Sequence, residues 1–203
     1  MESFYSFTLL FSILTFTLTA TTTPGPNNIM LLSSGLTFGY KKTTPHILGI
    51  VLGFTIMILL VGIGLGVAFE KFPFILKILK IVGILYLCWM AYKIATSTGN
   101  IKIKEEGKPF TFIQAALFQW VNPKAWIMSI TAISIFVSSK QNNIEQVFVI
   151  ALIFCISASI SCNAWALGGV VLKRFIKNKN NIKLFNIVMA FLLITSIIPF
   201  IFD

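Results

Sequence analysis

Thr21-Thr22-Thr23-Pro24-Gly25-Pro26-Asn27-Asn28 is the stretch whose reading decides the fold. It lies inside an uncharged run from Ser3 to Tyr40, where continuous apolar helix would otherwise be expected. Two prolines, a glycine and two asparagines interrupt that helix. Bilayer hydrocarbon offers no partner to freed backbone groups, so such a break persists only where protein or a water-lined cavity satisfies them. A second break, Asn122-Pro123-Lys124, follows about half a chain later. The reading adopted is that the two breaks together build one substrate site.

The composition around the breaks is that of a membrane protein. Of 203 residues, 57% are hydrophobic and 11% charged, against roughly 25% charged in soluble domains. No soluble domain is left over. The net charge of +10 is scattered among loops, which suits membrane topology and anionic headgroups rather than nucleic acid. Cys88, Cys155 and Cys162 form no C-x-x-C and have no histidine cluster beside them, so they read as packing residues, and no metal or cofactor is expected. The first apolar run lacks a basic leader and continues past any cleavage site, so it reads as a retained transmembrane helix.

A spanning helix needs about 20 apolar residues. The pattern predicts one from Phe4 to Thr23, continued beyond the break over Asn27 to Gly39. Its hydroxyls at Thr8, Ser12, Thr15, Thr19 and Thr22 share one face. That face is either a polar stripe leading to the break or a set of hydroxyls bonded to their own backbone carbonyls. Lys41 and Lys42 mark a membrane surface. A second helix is expected over Thr43 to Phe69, with Gly49-x-x-x-Gly53 and Gly62-x-x-x-Gly66 for close packing. These faces would serve the fold or a homodimer equally. His46, near the helix end, reads as structural or incidental.

Glu70 to Pro73 makes a turn, and a third helix runs from Phe74 to Thr96, with Tyr86, Trp89 and Tyr92 as packing or belt aromatics. The polar stretch 97–108 divides the chain into halves, 1–96 and 109–203. The fourth helix spans Pro109 to Val137 across the second break, and Lys140 to Glu145 is a loop. The fifth covers Gln146 to Leu172, with Asn163 as a candidate interhelical hydrogen-bonder. After the basic stretch Lys173 to Lys183, the last helix covers Leu184 to Phe202. Loops after helices one, three and five hold eleven of the sixteen Lys and Arg residues; the other side holds four. The positive-inside rule then places those loops and the 97–108 linker in the cytoplasm and both termini outside.

Two halves with three spans each insert with opposite topology. The predicted fold is therefore an all-α membrane protein, six transmembrane helices in two inverted three-helix repeats, each with a broken first helix. Paired broken helices at a repeat interface are the recurrent plan of secondary transporters. Half-helices starting at Pro26 and Pro123 present unpaired N–H groups and a positive dipole end, suited to a carboxylate. Freed carbonyls near Pro24 and Gly25 suit an ammonium group. Asn27, Asn28 and Asn122 add donors and acceptors. Lys124 is the one charge far from the ends of a predicted span, either a functional residue or a snorkelling cap. No Asp or Glu lies deep in a span. If transport is proton-coupled, the carrier is then Lys124 or a carboxylate of the substrate. These features suggest a small polar solute, and a small zwitterionic substrate would use both preferences.

Thr23-Pro24-Gly25-Pro26-Asn27-Asn28, Gly39, the Gly49/Gly53 pair, Leu85-Tyr86-Leu87 with Lys93, and Asn122-Pro123-Lys124 together resemble the lysine exporter type (LysE/RhtB) family over essentially the whole chain. The resemblance implies proton-driven efflux of amino acids or their derivatives across the bacterial inner membrane. The Pro-Gly-Pro-Asn-Asn form and Asn163-Ala164-Trp165-Ala166-Leu167 are most similar to cysteine and O-acetylserine exporters, although Met90 stands where a small residue is expected. The competing readings are an exporter of another small solute or a metal cation, a membrane enzyme or thiol carrier, and a structural membrane protein. Metal export is opposed by the lack of intramembrane Asp, Glu or His ligands. Enzyme chemistry is opposed by the lack of paired carboxylates, a His–nucleophile pair or a cysteine pair.

Overall fold

The computed structural model describes residues 6–65, 71, 73–96, 109–137, 143–175 and 179–195. Every regular element among them is helical: α1 (Phe7–Thr22), α2 (Pro26–Phe38), α3 (Tyr40–Leu60), α4 (Pro73–Thr96), α5 (Phe112–Val121), α6 (Pro123–Phe136), α7 (Asn143–Leu172) and α8 (Lys179–Thr195).

Local chemistry sets the boundaries. The Ser6 hydroxyl caps α1 by accepting from Leu9 N–H. Thr111 and Gln114 form a reciprocal capping box on α5. Pro26 and Pro123 start α2 and α6, where their missing N–H costs no helical bond. Both predicted breaks are present, at residues 23–25 and at Asn122. The first bends α1 against α2 by 58°.

Several boundaries depart from expectation. Gly39, at φ 80°, turns the chain in one residue, so α3 begins at Tyr40 and Lys41 and Lys42 lie in its first turn. Regular α3 stops at Leu60 in a wider π-type turn over Val61–Leu65, where Gly64 has φ 136°. The predicted continuation from residue 66 to Phe69 lies outside the described residues, as do the linker 97–108, Glu70 and Phe72 of the Glu70–Pro73 turn and the end of the last helix. Asn143 to Glu145 belong to the first turn of α7, and α8 takes up the end of the basic stretch from Lys179 onward.

By length and apolarity α3 and α7 can each cross a bilayer, and the bent pair α1–α2 makes a third crossing if taken as one. Leu48, Leu52, Ile56 and Leu60 on α3, and Phe148, Leu152, Ile156 and Ile160 on α7, form outward apolar stripes at four-residue spacing. Stripes of that kind belong against lipid. Trp89 and Tyr92 also face outward.

The centre is α2. Ile29 and Met30 pack with Leu87, Phe118 and Leu193 of α4, α5 and α8. Leu31, on another face of α2, packs with Ile47 and Ile50 of α3, Ala115 of α5 and Ala158, Cys162 and Ala166 of α7. Phe54, Trp126 and Phe154 centre a third cluster of α1, α3, α6 and α7. α3 packs on α5 and α7 on α1, while α3 meets α7 and α4 meets α8. A Cβ on Gly49 would lie 2.3 Å from Phe112 O and one on Gly53 2.6 Å from Ala116 Cα. This first small-residue face is therefore spent inside the fold, on α5. Gly66 of the second face lies outside the described residues.

Candidate functional site

An α-helix leaves its last four carbonyls without partners, and at the end of α1 the protein supplies them. Thr23 N–H reaches Thr19 O at 3.0 Å and Thr23 Oγ1 reaches Ala20 O at 2.9 Å. Thr21 O accepts from Asn28 Nδ2 and from Ser161 Oγ, each at 2.8 Å. Thr22 O accepts from the Trp165 indole at 3.2 Å. Thr23 O accepts from Asn28 Nδ2 at 2.8 Å and from Lys124 Nζ at 2.7 Å. Lys124 Nζ also lies 2.8 Å from Thr23 Oγ1 and 3.4 Å from Pro24 O. The ammonium of the second break thus sits on the carbonyls of the first, at the negative end of the α1 dipole, where a cation is favoured.

This corrects one expectation and sharpens another. The freed carbonyls are not left open for an incoming ammonium; Lys124 already holds them. The two half-helix starts also differ. Asn122 caps α6, its side chain accepting from Lys124 N–H at 3.2 Å. At α2 the cap position is Gly25, and no described side chain bonds there. The first-turn N–H groups of Asn27 and Asn28 have no partner within α2, so α2 is the better anion end.

Asn27 points to a partner that sequence reasoning missed. Its amide exchanges hydrogen bonds with that of Gln119, Asn27 Nδ2 to Gln119 Oε1 at 2.8 Å and Gln119 Nε2 to Asn27 Oδ1 at 3.2 Å. Gln119 is fully buried and also donates to Ala115 O at 2.9 Å. The signal was an amide in the apolar α5 beyond its capping turn, three residues before the second break. Gln119→Met removes both side-chain hydrogen bonds of the Asn27 amide, which costs about 1–3 kcal/mol. We expect a lower melting temperature, partly restored by adding Asn27→Leu. A single and double variant melting as independent sites would remove the pair from the account.

Asn27, Asn28, Gly25, Asn122 and Lys124 line one cavity of about 30 Å³, together with Ala20, Thr21, Ile50, Phe54, Met128, Ala158 and Cys162. That volume admits about two water molecules, not an amino acid. Of the predicted site residues, Pro24 and Pro26 flank Gly25 in the break, and Pro123 starts α6 beside Asn122. Asn163 lies apart: it accepts from the Tyr40 hydroxyl of α3 and donates to Ser159 O at 2.8 Å. It does bond between helices, as expected, but not in the cavity.

The predicted hydroxyl stripe of α1 faces outward. Thr8, Ser12, Thr15, Thr19 and Thr22 are all exposed, and Ser12 and Thr15 bond the carbonyls of Thr8 and Phe11 at 2.8 Å. The inward hydroxyls are Thr17, paired with Ser157 Oγ at 2.8 Å, and Thr21. Cys162, expected to be packing alone, lines the cavity. His46, expected near the helix end, is 1% exposed and stacked on Phe110, with ring centroids 5.1 Å apart.

The LysE type translocator family matches residues 18–200. The cysteine/O-acetylserine efflux proteins of Escherichia coli K12 and Shigella sonnei Ss046 are each 35% identical to the chain over 191 residues, covering 92% of it and 94% of their own length. No solved structure gives a significant match. The family match takes in both breaks, and on that ground the chain belongs to the LysE type translocator family, as a membrane transporter and not an enzyme.

Proposed function

We propose that the protein exports small zwitterionic amino acids or derivatives, cysteine and O-acetylserine foremost, from the cytoplasm across the bacterial inner membrane. The observation that carries this is the placement of opposite preferences within residues 23–28. The Thr23 and Pro24 carbonyls hold an ammonium, and the uncapped α2 start beside them favours a carboxylate. A zwitterion satisfies both when its ammonium replaces that of Lys124. The small cavity corresponds to a closed state, and opening separates the two breaks. The substrate preference follows the relatives of that name; the proton-motive force as the drive follows the family resemblance.

In this reading residues 1–96 and 109–203 are inverted three-helix repeats joined by a cytoplasmic linker, 97–108. They make six crossings, with both termini outside. Supporting it, each half opens with a broken helix, and α3 packs on α5 as α7 packs on α1. A twofold relation between the halves generates that pairing. The bias of Lys and Arg toward one side supports the orientation.

The test is overexpression in cells loaded with labelled cysteine, O-acetylserine and a panel of other amino acids. Faster efflux of one or more, with resistance to its toxic analogues, is expected; no gain for any of them would overturn the exporter reading. Gly25→Ala probes the Lys124 contact by steric means alone. A Cβ there would lie 2.8 Å from Lys124 Cδ and 3.1 Å from Nζ. Gly25 is extended, at φ −179°, so alanine strains no backbone and only the lysine shifts. The variant should fold normally and lose export by about tenfold, the worth of roughly one charge-assisted hydrogen bond. Unchanged export would mean that the contact is dispensable.

A further inference from the structure

We propose that His46 is a proton-binding station between the cavity and the Lys41/Lys42 end of α3. This rests on the exporter reading above and deepens it by assigning the coupling site. The chain has one histidine. Among the described residues neither of its ring nitrogens finds a hydrogen-bond partner, although the residue is 1% exposed. Buried polar groups without partners are rare and costly, so two such nitrogens on one ring call for an explanation. An imidazole with both nitrogens uncommitted is fitted to exchange a proton with water that reaches it in another conformation, and histidine ordinarily does so near neutral pH.

Its position suits that role. His46, Ile50 and Phe54 follow at four-residue spacing on one face of α3, and Ile50 and Phe54 line the cavity. His46 is therefore about one helical turn, roughly 5.4 Å, from the cavity wall. On its other side Thr43 is buried; its hydroxyl donates to Gly39 O at 2.9 Å and lies 2.9 Å from Ser34 Oγ of α2. Among the described residues, the elements packed around this part of α3 bring no charged side chain to the ring. α2 and α5 carry no charged side chain, and α7 carries Glu145 at its far end with Cys155 and Cys162 along its length. On α3 itself Tyr40, Lys41 and Lys42 are exposed. Lys124, the alternative carrier, has its ammonium committed to Thr23 and Pro24. The step is one proton passing from hydronium to a ring nitrogen, leaving water, and returning on the opposite side of the cycle.

His46→Phe tests this, because it keeps the stack on Phe110 and removes both nitrogens. Full-length protein in liposomes is assayed with labelled cysteine, held reduced, in two modes. Counterflow needs no proton gradient; gradient-driven efflux, with a pH dye, does. The expected result is a folded variant that retains counterflow and loses both stimulation by the gradient and substrate-dependent proton movement. Retained gradient stimulation overturns the proposal, and so does loss of counterflow in the folded variant. Should His46→Phe fail to fold, His46→Gln is read by the same criteria; failure of both to fold assigns the ring a structural role and overturns it too. Wild-type protein without gradient stimulation overturns the proposal alone. Wild-type protein without counterflow, for cysteine and for every other amino acid tried, removes the exporter reading itself.

Discussion

Lys124→Met should fold, reach the membrane and lose export by about two orders of magnitude. Methionine keeps the length and apolar stem of lysine and deletes the ammonium. Thr23 O then retains only Asn28 as a donor, and Pro24 O loses the Lys124 ammonium. A hydrogen bond to a charged group contributes about 1.5–3 kcal/mol net, and the contacts at 2.7 and 2.8 Å are the strong pair. Losing them removes the link that couples movement of one break to the other, and every 1.4 kcal/mol is about tenfold. Efflux of labelled cysteine per folded transporter is the measurement. If Lys124 merely snorkels, the loss stays within about threefold, and its assignment to the site fails. Gly25→Ala should fall between this variant and wild type, since it displaces the same ammonium without deleting it.

The Gly35→Ala/Gly169→Ala double variant is expected to lose the assembled fold rather than the activity of a folded protein. A Cβ on Gly35 would stand 2.1 Å from Ala166 O, and one on Gly169 2.1 Å from Leu32 O. Both clashes are with backbone, so no side chain can turn aside, and the central α2 must move off α7. Overpacking costs about 1–3 kcal/mol per site, and two sites on one interface should exhaust most of a marginal stability. The monodisperse fraction in detergent and the melting temperature report this. Gly39 is the contrast: an added Cβ meets nothing there, and only its φ of 80° resists substitution. If the double variant melts as wild type does, the close approach of α2 to α7 is wrong.

Much of the site was legible because it is built from residues that misbehave locally. Proline lacks an N–H and asparagine caps a helix, so Pro26, Asn122 and Pro123 announce breaks whatever surrounds them. Lys124 stood out as a charge in an apolar span. Gln119 and Trp165 did not, since an amide or indole in a membrane helix gains meaning only from what it meets. Periodicity placed the hydroxyls of α1 on one face correctly but could not say that the face turns outward. That is decided by the helices packed on the other side, through Ile13, Thr17 and Thr21.

By itself the sequence determined the membrane class, the two breaks and the family resemblance, because composition and backbone chemistry act over a few residues. Only the tertiary structure decided how the carbonyls at Thr21-Thr22-Thr23-Pro24-Gly25-Pro26-Asn27-Asn28 are satisfied. The partners come from 101, 140 and 143 residues away, as Lys124, Ser161 and Trp165. No local rule pairs groups so far apart. The pairing follows from packing α1 and α2 against α7 and α6, which closes a break that hydrocarbon would otherwise leave unsatisfied.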